Sequence, residues 1–292
     1  MLEKIKISIL NHWFIFILLS LTWGSSFILI KKALLAFDDL QVASLRIAIA
    51  TLVSMPIVVY YRKKIRWEKW YLFLIVGLAG NGIPPFLFAS AQTQVSSSLA
   101  GVLNTLTPIF TLVLAFIFFR HHLSLRNITG VLMGLTGVLL ISFSNGIDFG
   151  GDLRYILMIV LATVLYAVNI NAVRLFFHET NPLIILSTSF VLFGPFSFIY
   201  LWHSDIHQVI LKHPDGMTSL LEVIVLALVG TMIATVYFFR LLQKTNTVFA
   251  SSVSYVIPLV AVGWGLLDGE PFNVLYIISL LLILTGVFFT RK

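Results

Sequence analysis

Apolar residues fill this chain in runs that stay apolar on every side for about the 20 residues a helix needs to cross hydrocarbon. Barrel strands would alternate polar and apolar residues instead, so the pattern predicts a helix bundle. Ten helices are predicted, at about 12–32, 42–61, 70–92, 97–119, 125–143, 153–175, 182–202, 217–241, 247–267 and 272–290. Turn or charge signals separate them: Asp38-Asp39, Arg62 to Lys64, Arg120-His121-His122, Gly146 to Asp152, Asn181-Pro182, His203 to Asp215 and Gly269-Glu270-Pro271. No soluble domain fits between them.

The fourth and ninth helices share an outline. Ala100 is matched by Ala250, Asn104 by Ser254 and Pro108 by Pro258, each 150 positions later. Leu135-Thr136-Gly137-Val138 recurs as Leu284-Thr285-Gly286-Val287 after 149 positions. The chain therefore reads as a duplicated unit, residues 1–146 and 147–292. Five helices per copy is an odd number, so the second copy enters the membrane from the opposite face. The expected fold is an all-α membrane protein of ten transmembrane helices in two inverted five-helix repeats. Such repeats hold a shared site near the midplane and rock to expose it to each side in turn.

Composition agrees with a bilayer: 59% of residues are hydrophobic and 11% charged, where soluble domains carry about a quarter charged residues. The net charge of +7 is absorbed by topology. With a cytoplasmic N-terminus, that side holds fourteen Lys and Arg and the other side four, Lys31, Lys32, Arg154 and Lys212. Both termini are thus expected in the cytoplasm, and nucleic acid is not expected as a partner. The basic, apolar N-terminus lacks a small-x-small cleavage pattern and is read as the first helix. Zero cysteines exclude disulfides, thiolate metal sites and cysteine nucleophiles.

Polar side chains deep in hydrocarbon are costly and mark interior positions. Asn104, Thr107 and Thr111 share a face of the fourth helix, and Pro108 frees a carbonyl one turn earlier. Ser251, Ser254 and Tyr255 stand similarly before Pro258, with back-bonding to their own helix as the alternative for the serines. Gly80-Asn81-Gly82-Ile83-Pro84-Pro85 predicts a local break in the third helix, bordering a cavity or gate. Trp23 and Ser26 lie mid-helix, and Tyr166 with Asn169 form the matching cluster in the sixth helix. The expected cavity residues are Trp23, Ser26, Asn81, Asn104, Thr107, Tyr166, Asn169, Ser254 and Tyr255, and the expected hinges are Pro84, Pro85, Pro108 and Pro258. Arg46, a few residues from the start of the second helix, is expected to bond helix-end carbonyls or snorkel outward, contact with a solute carboxylate being the alternative. Gly130, Gly134 and Gly137 predict close packing within the bundle.

Leu21-Thr22-Trp23-Gly24-Ser25-Ser26-Phe27 followed by Lys31 resembles the opening signature of the EamA-type drug/metabolite transporters. Leu45-Arg46, Leu106-Thr107-Pro108, Ile257-Pro258-Leu259 and Leu284 to Val287 are also similar to that family, in order and spacing. Members carry a glutamate after the fourth helix, where this chain has Arg120, and a tryptophan in the sixth, where it has Tyr166. The resemblance implies a carrier of small organic solutes, amino acids or related metabolites, exported across a bacterial inner membrane. A multidrug or nucleobase/nucleoside efflux carrier is the alternative.

Rival classes lack their reagents. There is no His-Glu-x-x-His site, no paired membrane aspartates and no Gly-x-Ser-x-Gly elbow, so an enzyme is not expected, nor any cofactor or metal. A channel would want a charged or carbonyl ring. No predicted helix centre holds Asp, Glu or His, which points to facilitated or loosely coupled movement rather than carboxylate-centred proton exchange. The expected partners are a small-molecule solute and the lipid bilayer; the oligomeric state is left open, a monomer included.

Overall fold

Every regular element among the described residues of the computed structural model, 2–95, 97–119, 124–144, 153–267 and 275–290, is a helix. In order these are α1 (Leu2–Ala33), α2 (Asp39–Tyr61), α3 (Trp70–Gly77), α4 (Ile83–Gln92), α5 (Ser97–Asn104), α6 (Thr107–Phe119), α7 (Leu125–Ser144) and α8 (Leu153–Phe176). Then come α9 (Pro182–Phe193), α10 (Pro195–His203), α11 (Ile206–Lys212), α12 (Gly216–Val225), α13 (Ala234–Lys244), α14 (Thr247–Ser251), α15 (Val253–Leu267) and α16 (Leu275–Thr290). Arg120, His121-His122, the Gly146 to Asp152 turn with its unit boundary, Asp268 and Glu270 lie outside the described residues.

Among the described residues six helical stretches are long and apolar enough to cross a membrane: His12–Ala33, Asp39–Lys64, Trp67–Gln92, Leu99–Phe118, Leu153–Phe176 and Gly216–Lys244. The α9–α10 pair makes a seventh if its 42° bend belongs to one span. Pro195 explains that bend, since it cannot donate to the carbonyl four residues back. Thr247–Val260 and Ile277–Thr290 are shorter apolar helices. Phe14, Ile17 and Leu21 on α1, and Phe116, Ile117 and Phe118 on α6, stand exposed. Apolar faces of this extent suit acyl chains rather than water.

Local signals fix where helices begin. Asp38 caps α2 in a reciprocal box with Gln41: the Gln41 N–H donates to Asp38 Oδ1 at 2.7 Å and the Asp38 N–H to Gln41 Oε1 at 3.1 Å. Asn181 accepts from the Leu183 N–H at 2.9 Å ahead of Pro182, and Asn246 accepts from the Phe249 N–H at 2.7 Å.

A close crossing joins α7 to α16. A Cβ on Gly286 would lie 2.6 Å from Gly130 O and 2.7 Å from Gly134 N, and one on Gly137 would lie 2.9 Å from Ser279 O. Partners recede along α16 as α7 advances, so the two helices run antiparallel with their backbones touching. The glycine face predicted for close packing is used within the bundle. Elsewhere the largest buried cluster ties Phe16 and Leu19 of α1 to Phe73, Phe190, Phe239 and Phe249. Trp13 and Phe16 meet Phe249 with ring centroids 5.4 and 5.2 Å apart, and Phe73 meets Phe177 at 4.6 Å.

Candidate functional site

Interrupted helices bring the interior polar groups together. α3 passes into α4 through a π-helical stretch, Leu78–Gly82, and α12 passes into α13 through another, Leu226–Ile233. The break expected at Gly80 to Pro85 is thus a widened turn: the Ile83 N–H reaches Leu78 O, five residues back, and Pro84 and Pro85 fall in the first turn of α4, where a missing N–H costs little. α5 and α6 are separated at Thr105-Leu106, with Pro108 in the first turn of α6. In the second half the interruption is at Ser252, and Pro258 sits inside α15. Pro258 thus lies within a continuous helix, beyond the break at Ser252. It removes only its own N–H, which would have bonded Ser254 O, whereas the Ser251 and Ser252 hydroxyls donate back to Val248 O and Phe249 O at 3.0 and 2.7 Å where the turn forms.

These interruptions surround a cavity enclosing about 890 Å³ of atom-free space, its solvent-open part included. Trp23, Ser26, Arg46, Asn81, Asn104 and Thr107 line it from the first half of the chain. Tyr166, Asn169, Gly230, Ser251 and Ser254 line it from the second. Apolar walls come from Phe27, Phe88, Phe238 and Phe239. Tyr166 stacks on Phe88 at 6.0 Å and 21°, and Phe88 meets Phe27 at 5.8 Å.

Two long-range hydrogen bonds hold the lining in place. Trp23 Nε1–H donates to Gly230 O at 2.9 Å, and Asn169 Nδ2–H donates to Val76 O at 2.7 Å. Each joins one half of the chain to the interrupted helix of the other. Glycines stand close to both: a Cβ on Gly80 would lie 2.5 Å from Asn169 Nδ2, and one on Gly230 would lie 3.1 Å from Ser26 Oγ. Thr107 Oγ1–H donates to Asn104 Oδ1 at 3.5 Å, leaving the Asn104 amide N–H groups for the cavity. Asn171 points elsewhere, donating to Thr111 O at 3.1 Å and to Ala167 O at 2.9 Å.

Two expectations are corrected. Tyr255 does not line the cavity. Its ring lies on Gly134 of α7, 2.7 Å from where a Cβ would be, and its hydroxyl donates to Val131 O at 3.1 Å. Ser254 holds the cavity face of α15, and Tyr255, the next residue of that helix, is turned about 100° away. Removing this hydroxyl in Tyr255→Phe is expected to cost about 1 kcal/mol of stability. Solute flux should be unchanged; thermal melting and flux measured side by side check the pair, and a selective loss of flux would return Tyr255 to the cavity.

Arg46, expected at helix-end carbonyls or the outer surface, instead lines the cavity, with its Nε–H donating to Thr231 Oγ1 at 2.6 Å. The side chain runs sideways toward α12–α13 and not along α2. Also unforeseen were Gly230 and the phenylalanine walls. Gly230 had a signal, since it stands 150 positions after Gly80, the spacing that relates Pro258 to Pro108. The phenylalanines had none, being 4 of 25 in the chain.

Comparison with known proteins agrees with this architecture. The sequence profile described as the EamA-like transporter family matches residues 12–143 and again 153–291. An uncharacterized transporter of Archaeoglobus fulgidus is 24% identical over 281 residues, 96% of this chain and 98% of its own. A probable amino-acid metabolite efflux pump of Escherichia coli K12 is 25% identical, covering 93% of this chain and 92% of its own. One solved crystal structure, 18% identical, has the same fold, with a TM-score of 0.72 over 96% of each chain. With its family's profile spanning nearly its whole length in two passes, the chain belongs to the EamA-like transporter family and is a multi-pass membrane transporter.

Proposed function

We propose that the chain moves small organic solutes, amino acids or related metabolites, outward across a bacterial inner membrane by alternating access through this cavity. The observation that carries the reading is that both halves contribute polar groups to one mid-span cavity at their junction. Counting α3–α4, α5–α6, α9–α10, α12–α13 and α14–α15 as one span each, and leaving out the 7-residue α11, gives ten spans, five before and five after residues 146–152. Contacts repeat in the manner an inverted pair requires. Shifting the Gly137–Ser279 approach by 149 positions in opposite directions turns it into the Gly286–Gly130 approach, and in each a Cβ on the first glycine would come within 3 Å of the facing carbonyl oxygen. The twofold profile match, residues 12–143 and 153–291, also supports two units.

On α1 the cavity residues run from Trp23 to Ile30, while Trp13 and Phe16 nearer the N-terminus pack on Phe249. With both termini cytoplasmic, that aromatic cluster closes the bundle on the inner side of the cavity. The cavity lining contains no Asp, Glu or His among the described residues, which supports movement that is not strictly coupled to protons. In proteoliposomes, labelled-solute flux is expected to saturate, to show competition between solutes and to persist without a pH gradient. Asn104→Ala should weaken it. Strict dependence on the gradient would sink the coupling, and flux that never saturates would sink the carrier.

A further inference from the structure

Taking the cavity as the solute site of a carrier, we propose that Arg46 binds the solute's carboxylate, so that the site accepts small monoanions or zwitterions with an apolar or aromatic body and refuses cations of the same shape. A guanidinium this deep in a span is costly unless an anion or several hydrogen bonds compensate it. The protein supplies one bond. Thr231 Oγ1 accepts from Arg46 Nε–H at 2.6 Å, and its own O–H donates to Leu226 O at 2.9 Å, within the widened turn of Leu226–Ile233. The hydroxyl is thus fixed as an acceptor and the guanidinium plane is fixed with it. Its two terminal nitrogens make no hydrogen bond among the described residues, and the ion pairs found there, Lys32–Glu222 and His178–Glu179, do not involve Arg46.

No acidic residue among those described lines the cavity to neutralise the charge. A planar carboxylate matches the free end of the fork, where it receives two parallel N–H bonds. One cation suits a single negative charge better than the dianion of a phosphate ester. The body of the solute has Trp23, Phe27, Phe88 and Phe238 to rest on, the Trp23 and Phe238 rings being 5.1 Å apart. For an amino acid, the hydroxyl oxygens of Ser251 and Ser254, which donate to Val248 O and Ser251 O, are left to accept from the ammonium.

Three compounds of one shape separate the charges: 3-phenylpropionate as the anion, L-phenylalanine as the zwitterion and L-phenylalaninamide as the cation. Thermal melting of the purified full-length protein is expected to rise with the concentration of at least one carboxylate and not with the amide. Anion alone, zwitterion alone or both would each support the assignment while narrowing the class. Arg46→Gln should weaken carboxylate binding about ten- to a hundredfold. Its melting temperature without solute should stay level or rise, because an uncompensated charge has been removed. Arg46→Lys should recover part of the affinity. Unchanged carboxylate binding by Arg46→Gln, stabilisation by the amide equal to that by the carboxylates, or no response to either carboxylate would overturn the proposal. A lower melting temperature with intact carboxylate binding would make Arg46 a structural residue. Saturable counterflow insensitive to Arg46→Gln would remove this assignment and leave the carrier standing; carboxylate binding without any counterflow would do the reverse.

Discussion

Gly286→Val is expected to prevent the protein from accumulating as a stable, monodisperse species. At this crossing α7 and α16 touch backbone to backbone: the first added carbon would sit 2.6 Å from Gly130 O and 2.7 Å from Gly134 N. Neither atom belongs to a side chain that could rotate away, so relief requires the helices to part. Parting them also lifts Tyr255 off Gly134 and loosens its hydroxyl from Val131 O. Overpacking costs about 1–3 kcal/mol where side chains can adjust; here the upper end or beyond is expected. Gly101→Ala is the matched control, since its Cβ would make ordinary contact, 3.7 Å from Ile257 Cγ2. Detergent gel filtration and thermal melting of both variants provide the check. A Gly286→Val protein melting within about 2 °C of wild type, equivalent to less than about 1 kcal/mol, would mean that the crossing is not as close as described.

The glycines of that crossing were legible in advance: Gly137 and Gly286 stand in a tetrapeptide that occurs twice, and Gly130 and Gly134 share a helix face with Gly137. The same holds for the helix interiors, where a polar residue in hydrocarbon is conspicuous: Trp23, Asn81, Asn104, Tyr166 and Asn169 were found this way and all border one cavity. What the sequence could not supply was rotation. Helices that touch neighbours on several sides have no polar face to orient them, so nothing told Ser254, which faces the cavity, from Tyr255, which faces α7. Arg46 was misplaced for a related reason. Counting residues puts its Cα about 10 Å into α2 at 1.5 Å per residue, but the direction taken by a long side chain decides where its charge ends up. The π-helical stretches were hidden as well. Prolines marked the first, though as a break, and the second, Leu226–Ile233, contains no proline at all.

Those widened turns carry the other large effect, and it is of the opposite kind. Gly80→Ala is expected to leave stability nearly unchanged while solute flux falls about tenfold or more. Its Cβ would come 2.5 Å from Asn169 Nδ2 and 2.8 Å from Asn169 Cγ, atoms at the end of a side chain that can swing aside. Swinging aside breaks the 2.7 Å bond to Val76 O, which holds the Asn169 amide in the cavity wall and ties the second half to α3. Losing one such bond costs about 1 kcal/mol, offset where the freed amide finds other partners in a polar cavity. A solute that depended on the amide's position would lose more, and about 1.4 kcal/mol suffices for a tenfold change. The double variant Gly80→Ala/Asn169→Ala tests the route: if the glycine acts only through Asn169, the two losses should not add. Additive losses would place the effect in the turn itself, and wild-type flux in Gly80→Ala would show that Asn169 has no part in handling the solute. Gly286 guards a contact between two backbones and Gly80 the position of one amide, so the first substitution should be read in yield and melting, the second in flux.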